Sequence, residues 1–147
     1  MKKYKLILII IWMIIIFMFS NQSATQSSKL SDSLIDNTIV KVYEIFNGKV
    51  NKEQRAKIID NYSYFIRKLA HFTLYFILGI LCFTFFKDFT KHYVIYSIMV
   101  CFLYAVSDEI HQMFSIERGP GVIDVLIDTL GSLASIIILD RKNIYQK

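Results

Sequence analysis

The chain has 147 residues, 54% of them hydrophobic and 20% charged, with one Pro, five Gly and two Cys. Length allows one domain, and this composition excludes a disordered chain, a collagen-like chain and a disulfide scaffold. The net charge of +5 falls largely on residues flanking apolar blocks and forms no compact basic motif with interleaved aromatics, which argues against nucleic acid as a partner.

Residues 6–19 are wholly apolar behind Lys2-Lys3-Tyr4-Lys5. This block reads either as a membrane helix over about 5–21 or as the core of a cleaved signal peptide. Ser20-Asn21-Gln22-Ser23-Ala24 offers a poor cleavage site, which favours the helix. Residues 22–68 are polar but patterned. Ile35, Ile39, Val42 and Phe46 recur at helical spacing before a stop at Asn47-Gly48. Asn51 with Gln54 resembles a capping box, and Ile58, Ile59, Tyr62, Phe65 and Ile66 follow on one side. Two amphipathic helices are expected, on the membrane surface or against the bundle, the second leading into the membrane.

Residues 69–86 carry no formal charge and are long enough to cross a bilayer, which takes about 20 helical residues. Residues 93–114 and 122–139 fit as well if their polar groups lie within the span. The reading is an all-α integral membrane four-helix bundle, a single domain with a helical segment between the first and second membrane helices. Cys82 and Cys101 fall inside these helices and read as small buried residues. Basic residues at 2, 3 and 5, at 87 and 91, and at 141, 142 and 147 place both termini in the cytoplasm and segment 22–68 outside. Arg67 and Lys68, which abut a helix on the other side, pull against that orientation.

The polar residues within the spans form stripes. Arg67, His71 and Tyr75 lie at i, i+4, i+8. Ser97, Cys101, Tyr104, Asp108, His111 and Gln112 share a face with Glu109 at its shoulder, and Asp124, Asp128, Gly131 and Ser135 share another. Alternation of the helices puts His71, Asp108 to Gln112 and Asp124 to Asp128 near one membrane face. Asp128 lies roughly 8 Å and Asp108 roughly 9 Å below it at about 1.5 Å per residue. One polar pocket results, composed of Arg67, Lys68, His71, Tyr75, Asp108, Glu109, His111, Gln112, Arg118, Asp124 and Asp128. Ionisable groups inside membranes face protein and are functional by default.

Arg67-Lys68-Leu69-Ala70-His71-Phe72 with Tyr75 and Gly79 resembles the first signature of VanZ-like membrane proteins. The run from Tyr104 through Asp108-Glu109-Ile110-His111-Gln112 to Phe114 is similar to the second. Arg118 with Asp124-Val125-Leu126-Ile127-Asp128-Thr129-Leu130-Gly131 is similar to the third, and Phe19-Ser20-Asn21-Gln22 resembles a short element after the first helix. The chain departs at Glu117, where the family pattern has Gly before the Arg; Gly119-Pro120-Gly121 supplies turn flexibility instead. The resemblance implies a small multi-pass protein of the bacterial cell membrane. The founding member of the family it resembles is associated with resistance to teicoplanin, a lipid-tailed glycopeptide, far more than to vancomycin.

The pocket chemistry leaves several readings open. In an enzyme acting on a lipid-linked envelope substrate, Asp108, Glu109, His111, Asp124 and Asp128 could hold a divalent metal, with Arg118 and Arg67 on a phosphate. His71 or His111 could alternatively serve as a general base. The spacing is no recognised zinc motif, and there is no nucleophile elbow or phosphate-cradling loop. A membrane binding protein without turnover would use the same groups to hold a lipid head group, a cell-wall precursor or the glycopeptide. Transport would require an oligomer, since four helices rarely enclose a path. In the plainest reading the charges only fix helix packing.

Overall fold

The computed structural model describes residues 2–21, 24–112 and 121–145, and all its regular elements are helical. They are α1 (Lys2–Ser20), α2 (Ala24–Ile35), a π-helical stretch (Asp36–Val40), α3 (Lys41–Asn47), α4 (Lys52–Phe86), α5 (Tyr93–Gln112) and α6 (Val122–Tyr145). Four of them, α1, α4, α5 and α6, are long and apolar enough to cross a membrane.

The outward faces agree with that reading. Ile7, Ile11, Ile14 and Met18 on α1, Ile95, Met99 and Leu103 on α5, and Leu126 and Leu130 on α6 are about half exposed or more. In water such a contiguous apolar surface would drive association, whereas in a bilayer it meets acyl chains at no cost. Inward, Ile9 and Ile16 of α1 join Tyr75, Leu78 and Cys82 of α4 and Cys101 and Ala105 of α5 in one core. α1 is also hydrogen-bonded to the bundle. Trp12 Nε1 donates to the Leu74 carbonyl at 2.9 Å, and the Tyr104 hydroxyl donates to the Met13 carbonyl at 2.6 Å. Cys82 and Cys101 are both buried free thiols.

The closest packing is between α4 and α6, and glycines make it so. A Cβ on Gly131 would overlap the Phe72 carbonyl oxygen, and one on Gly79 would meet the Ser132 backbone and the Ser135 hydroxyl. Small residues let two membrane helices approach until backbone touches backbone, gaining dispersion contacts that lipid cannot supply. The end of the bundle away from the polar stripes is closed by Lys5 on Asp88 (2.6 Å) and by Tyr93 on Asp140 (2.9 Å).

At 35 residues, α4 is roughly 52 Å long by its rise per residue, well beyond the ~30 Å hydrocarbon core. A span ending at Phe86 would leave its first half outside the hydrocarbon core, and there α2 and the π-helical stretch pack along it. Arg55 grips Asp36 with two hydrogen bonds (2.5 and 2.9 Å), and the Ser63 hydroxyl donates to Asp32. Gly48 ends α3 at φ +83°, a conformation that favours glycine, and Asn51 with Gln54 forms a reciprocal capping box at the start of α4.

The stripe Ile35, Ile39, Val42 and Phe46 is divided between the bundle and the outer surface. Ile35 and Val40 are fully buried, whereas Val42 and Phe46 are 52% and 81% exposed. The π-helical turn between them inserts an extra residue per turn and rotates the later positions outward.

Replacing Asn51 with Ala is expected to cost about 1 kcal/mol of local helix stability, because the orphan amide at Gln54 loses its acceptor. Amide exchange should accelerate across the first two turns of α4 and stay unchanged beyond Leu69.

Candidate functional site

α4, α5 and α6 bring His71, Asp108 and Asp128 together, with one potential ligand atom from each within 4.8 Å of the others. Each is placed by its helix register: His71 lies one turn before Tyr75 on the buried face of α4, Asp108 at the buried end of α5, and Asp128 one turn before Gly131 and Ser132. His71 Nδ1 lies 3.7 Å from Asp128 Oδ1, an ion-pair separation rather than a hydrogen bond. Both aspartates are 3% exposed. Gln112 Nε2 anchors Asp108 by donating to Oδ2 at 3.2 Å and to Ser20 Oγ at 2.6 Å. Asp108 Oδ1 and the hydroxyl of the fully buried Tyr75 have no hydrogen-bond partner among the described residues.

The other acidic groups are held elsewhere. Lys68 Nζ donates to Asp124 and lies 5.0 Å above the Tyr64 ring. Glu109 accepts the backbone N–H of Gly121 and thereby ties the start of α6 to the end of α5. His111 stacks on Phe17 with ring centroids 4.4 Å apart, and its Nε2 lies 3.4 Å from Asn21 Oδ1. The expected metal set of Asp108, Glu109, His111, Asp124 and Asp128 is therefore not the one that converges. Asp108 and Asp128 meet, and the histidine beside them is His71. The reason is rotational: Asp108 and Glu109 are consecutive in the chain, but about 100° of helix rotation separates their directions. Arg118 lies outside the described residues.

Beside this cluster, at the junction of α1, α2 and α4, lies a cavity of about 340 Å³. Phe19, Leu30, Leu34 and Leu74 give it an apolar lining, and Arg67 and His71 are its ionisable groups. Arg67 also borders a second, more polar cavity of about 480 Å³ reaching Asp32 and Asp60. Its Nε is buried without a hydrogen-bond partner among the described residues.

Ser20 is the residue that sequence reasoning passed over. It is 1% exposed and accepts from Gln112. Its signal was available: it ends the first apolar block at the same membrane level as Gln112.

The VanZ/LLP1 family model matches residues 5–143. The chain belongs to the VanZ/LLP1 family. No curated protein and no solved structure matches it. As a VanZ/LLP1 member, its match reaches into all four membrane-length helices and includes every residue of the cluster.

Proposed function

We propose that this VanZ/LLP1 protein is a multi-pass protein of the bacterial cell membrane, with both termini cytoplasmic and the polar cluster near the outer face. It binds or acts on a lipid-linked envelope molecule and thereby lowers susceptibility to teicoplanin-type glycopeptides. The observation that carries this reading is the apolar cavity bordered by Arg67 and His71. An acyl chain and an anionic head group need that combination: an apolar slot, and at its edge a cation with a donor atom, here Arg67 Nε, that no described residue engages.

A second reading is favoured for part of the polar set. Lys68 with Asp124, and Glu109 with the Gly121 amide, make bonds that lock helix ends, so these residues serve the architecture. Arg67, His71, Tyr75, Asp108 and Asp128 remain as the groups that meet a ligand.

The test is susceptibility of a sensitive host expressing the protein, beside Arg67→Gln and Asp108→Asn variants at matched membrane levels. Selective protection against teicoplanin and not vancomycin is expected, with both variants returning to the level of the empty vector. Protection that persists in both variants would remove the site from the phenotype. No protection by the wild-type protein would remove the phenotype itself.

A further inference from the structure

We infer that His71, Asp108 and Asp128 form a binding site for one divalent transition-metal ion. Three features of the site carry this, independently of what the neighbouring cavity binds.

The first is geometry. Donors sharing one Zn²⁺ at about 2.0–2.2 Å lie roughly 3–4 Å apart. Here His71 Nδ1 and Asp128 Oδ1 are 3.7 Å apart, and all three donor atoms fall within 4.8 Å of each other. The remaining gap is about 1 Å, the scale of a side-chain rotation, and the three donors come from three different helices.

The second is charge. Asp108 and Asp128 are 97% removed from solvent, each being 3% exposed, and two carboxylates this close repel in a low-dielectric interior. Lys68 is engaged by Asp124. His71 can supply at most one positive charge. A divalent ion bound by two carboxylates and a neutral imidazole brings the site to formal neutrality, the arrangement that membrane burial penalises least.

The third is the set of polar atoms facing the cluster. Asp108 Oδ1 has no hydrogen-bond partner among the described residues. Neither has the hydroxyl of Tyr75, which is fully buried and close enough to Asp108 and Asp128 to interact electrostatically with both. Buried polar atoms are almost always paired, so a hydroxyl and a carboxylate oxygen left over in one place point to something they jointly contact. An ion on the carboxylates, with a coordinated water within reach of the Tyr75 hydroxyl, accounts for both. Asp108 is in turn oriented by Gln112, the kind of outer support that ligating carboxylates have.

The donor chemistry selects the ion. One imidazole with two carboxylates suits Zn²⁺, Mn²⁺ or Fe²⁺, whereas Mg²⁺ and Ca²⁺ prefer oxygen-only shells. Three protein ligands also leave positions open for water or an anionic oxygen, as in catalytic sites rather than closed structural ones.

The experiment uses the full chain in detergent micelles, stripped with a chelator and titrated with Zn²⁺ or Mn²⁺. Bound metal is measured by mass spectrometry and by the electron paramagnetic resonance of free Mn²⁺. The wild-type protein is expected to take up one ion per chain with a rise in Tm. Mg²⁺ at equal concentration should not reproduce that rise. His71→Ala, whose side chain lies at the edge of the cluster, and Asp128→Asn are expected to lose stoichiometric uptake. Tyr75→Phe should weaken it about tenfold, and Asp124→Asn should retain it. Circular dichroism establishes that each variant is folded; if the ligand variants fail to fold, the metal-dependent Tm of the wild-type protein decides. Absence of uptake by the folded, stripped wild-type protein, or uptake unchanged in folded His71→Ala and Asp128→Asn, overturns the site. Either result leaves the susceptibility reading to stand or fall on its own test, because ion uptake is read without any glycopeptide.

Discussion

Replacing Gly131 with Leu is expected to be the most destabilising single change in the bundle. A side chain at this position starts inside the Phe72 carbonyl oxygen and lies 3.2 Å from the Phe72 Cα. The obstacle is backbone, so no rotamer change relieves it, and α6 must move away from α4. Overpacking a core costs typically about 1–3 kcal/mol, and a collision with main chain belongs at the upper end or above. Separating these helices also spreads the cluster, since His71 lies on α4 beside Phe72 and Asp128 on α6 one turn before Gly131. Equilibrium unfolding in mixed micelles should show a loss of about 3 kcal/mol for Gly131→Leu. Leu130→Ile, at a position 56% exposed toward lipid, should change little and serves as the control. Equal stability of the two variants would refute the close approach of α4 and α6.

The second large effect concerns Lys68 and Asp124. Their side chains are only 21% and 27% exposed, which separates this pair from surface ion pairs of negligible worth. Lys68→Glu would set two partly buried carboxylates against each other and strand Asp124. The expected loss is on the order of 2 kcal/mol, the scale of a hydrogen bond to a charged group. Asp124→Lys should cost a similar amount for the mirrored reason. The double exchange, Lys68→Glu with Asp124→Lys, should recover most of the loss, and a double-mutant cycle on unfolding free energy measures the coupling. Additive single effects would show that the pair contributes nothing as a pair. Because Lys68 precedes Leu69, where the uncharged part of α4 begins, this pair fixes the start of α6 against the point where α4 enters the membrane.

How much of this was legible beforehand differs by level of structure. The unbroken apolar blocks determine membrane-length helices, because only a helix satisfies its own backbone in hydrocarbon. Asn51 and Gln54 determine where α4 begins, since the cap is a local hydrogen-bond exchange, and Gly48 determines where α3 stops. The signatures around His71, Asp108 and Asp128 were enough to suggest the family. Each of these signals is read within one segment of the chain.

Tertiary structure decided the rest. The fate of Ile35, Ile39, Val42 and Phe46 turned on a π-helical stretch that packs Val40 inward, which no 3.6-residue pattern anticipates. Which carboxylates converge was likewise undecided in one dimension. Asp108 and Glu109 are neighbours in the chain, yet one faces His71 and Asp128 while the other holds the Gly121 amide. His71 and His111 were equal candidates until helix rotation set one beside Asp128 and stacked the other on Phe17. A stripe on a helix specifies a direction only relative to its own axis. The distance between two stripes depends on how closely the axes approach, and here that is decided by Gly79 and Gly131 letting α4 and α6 touch.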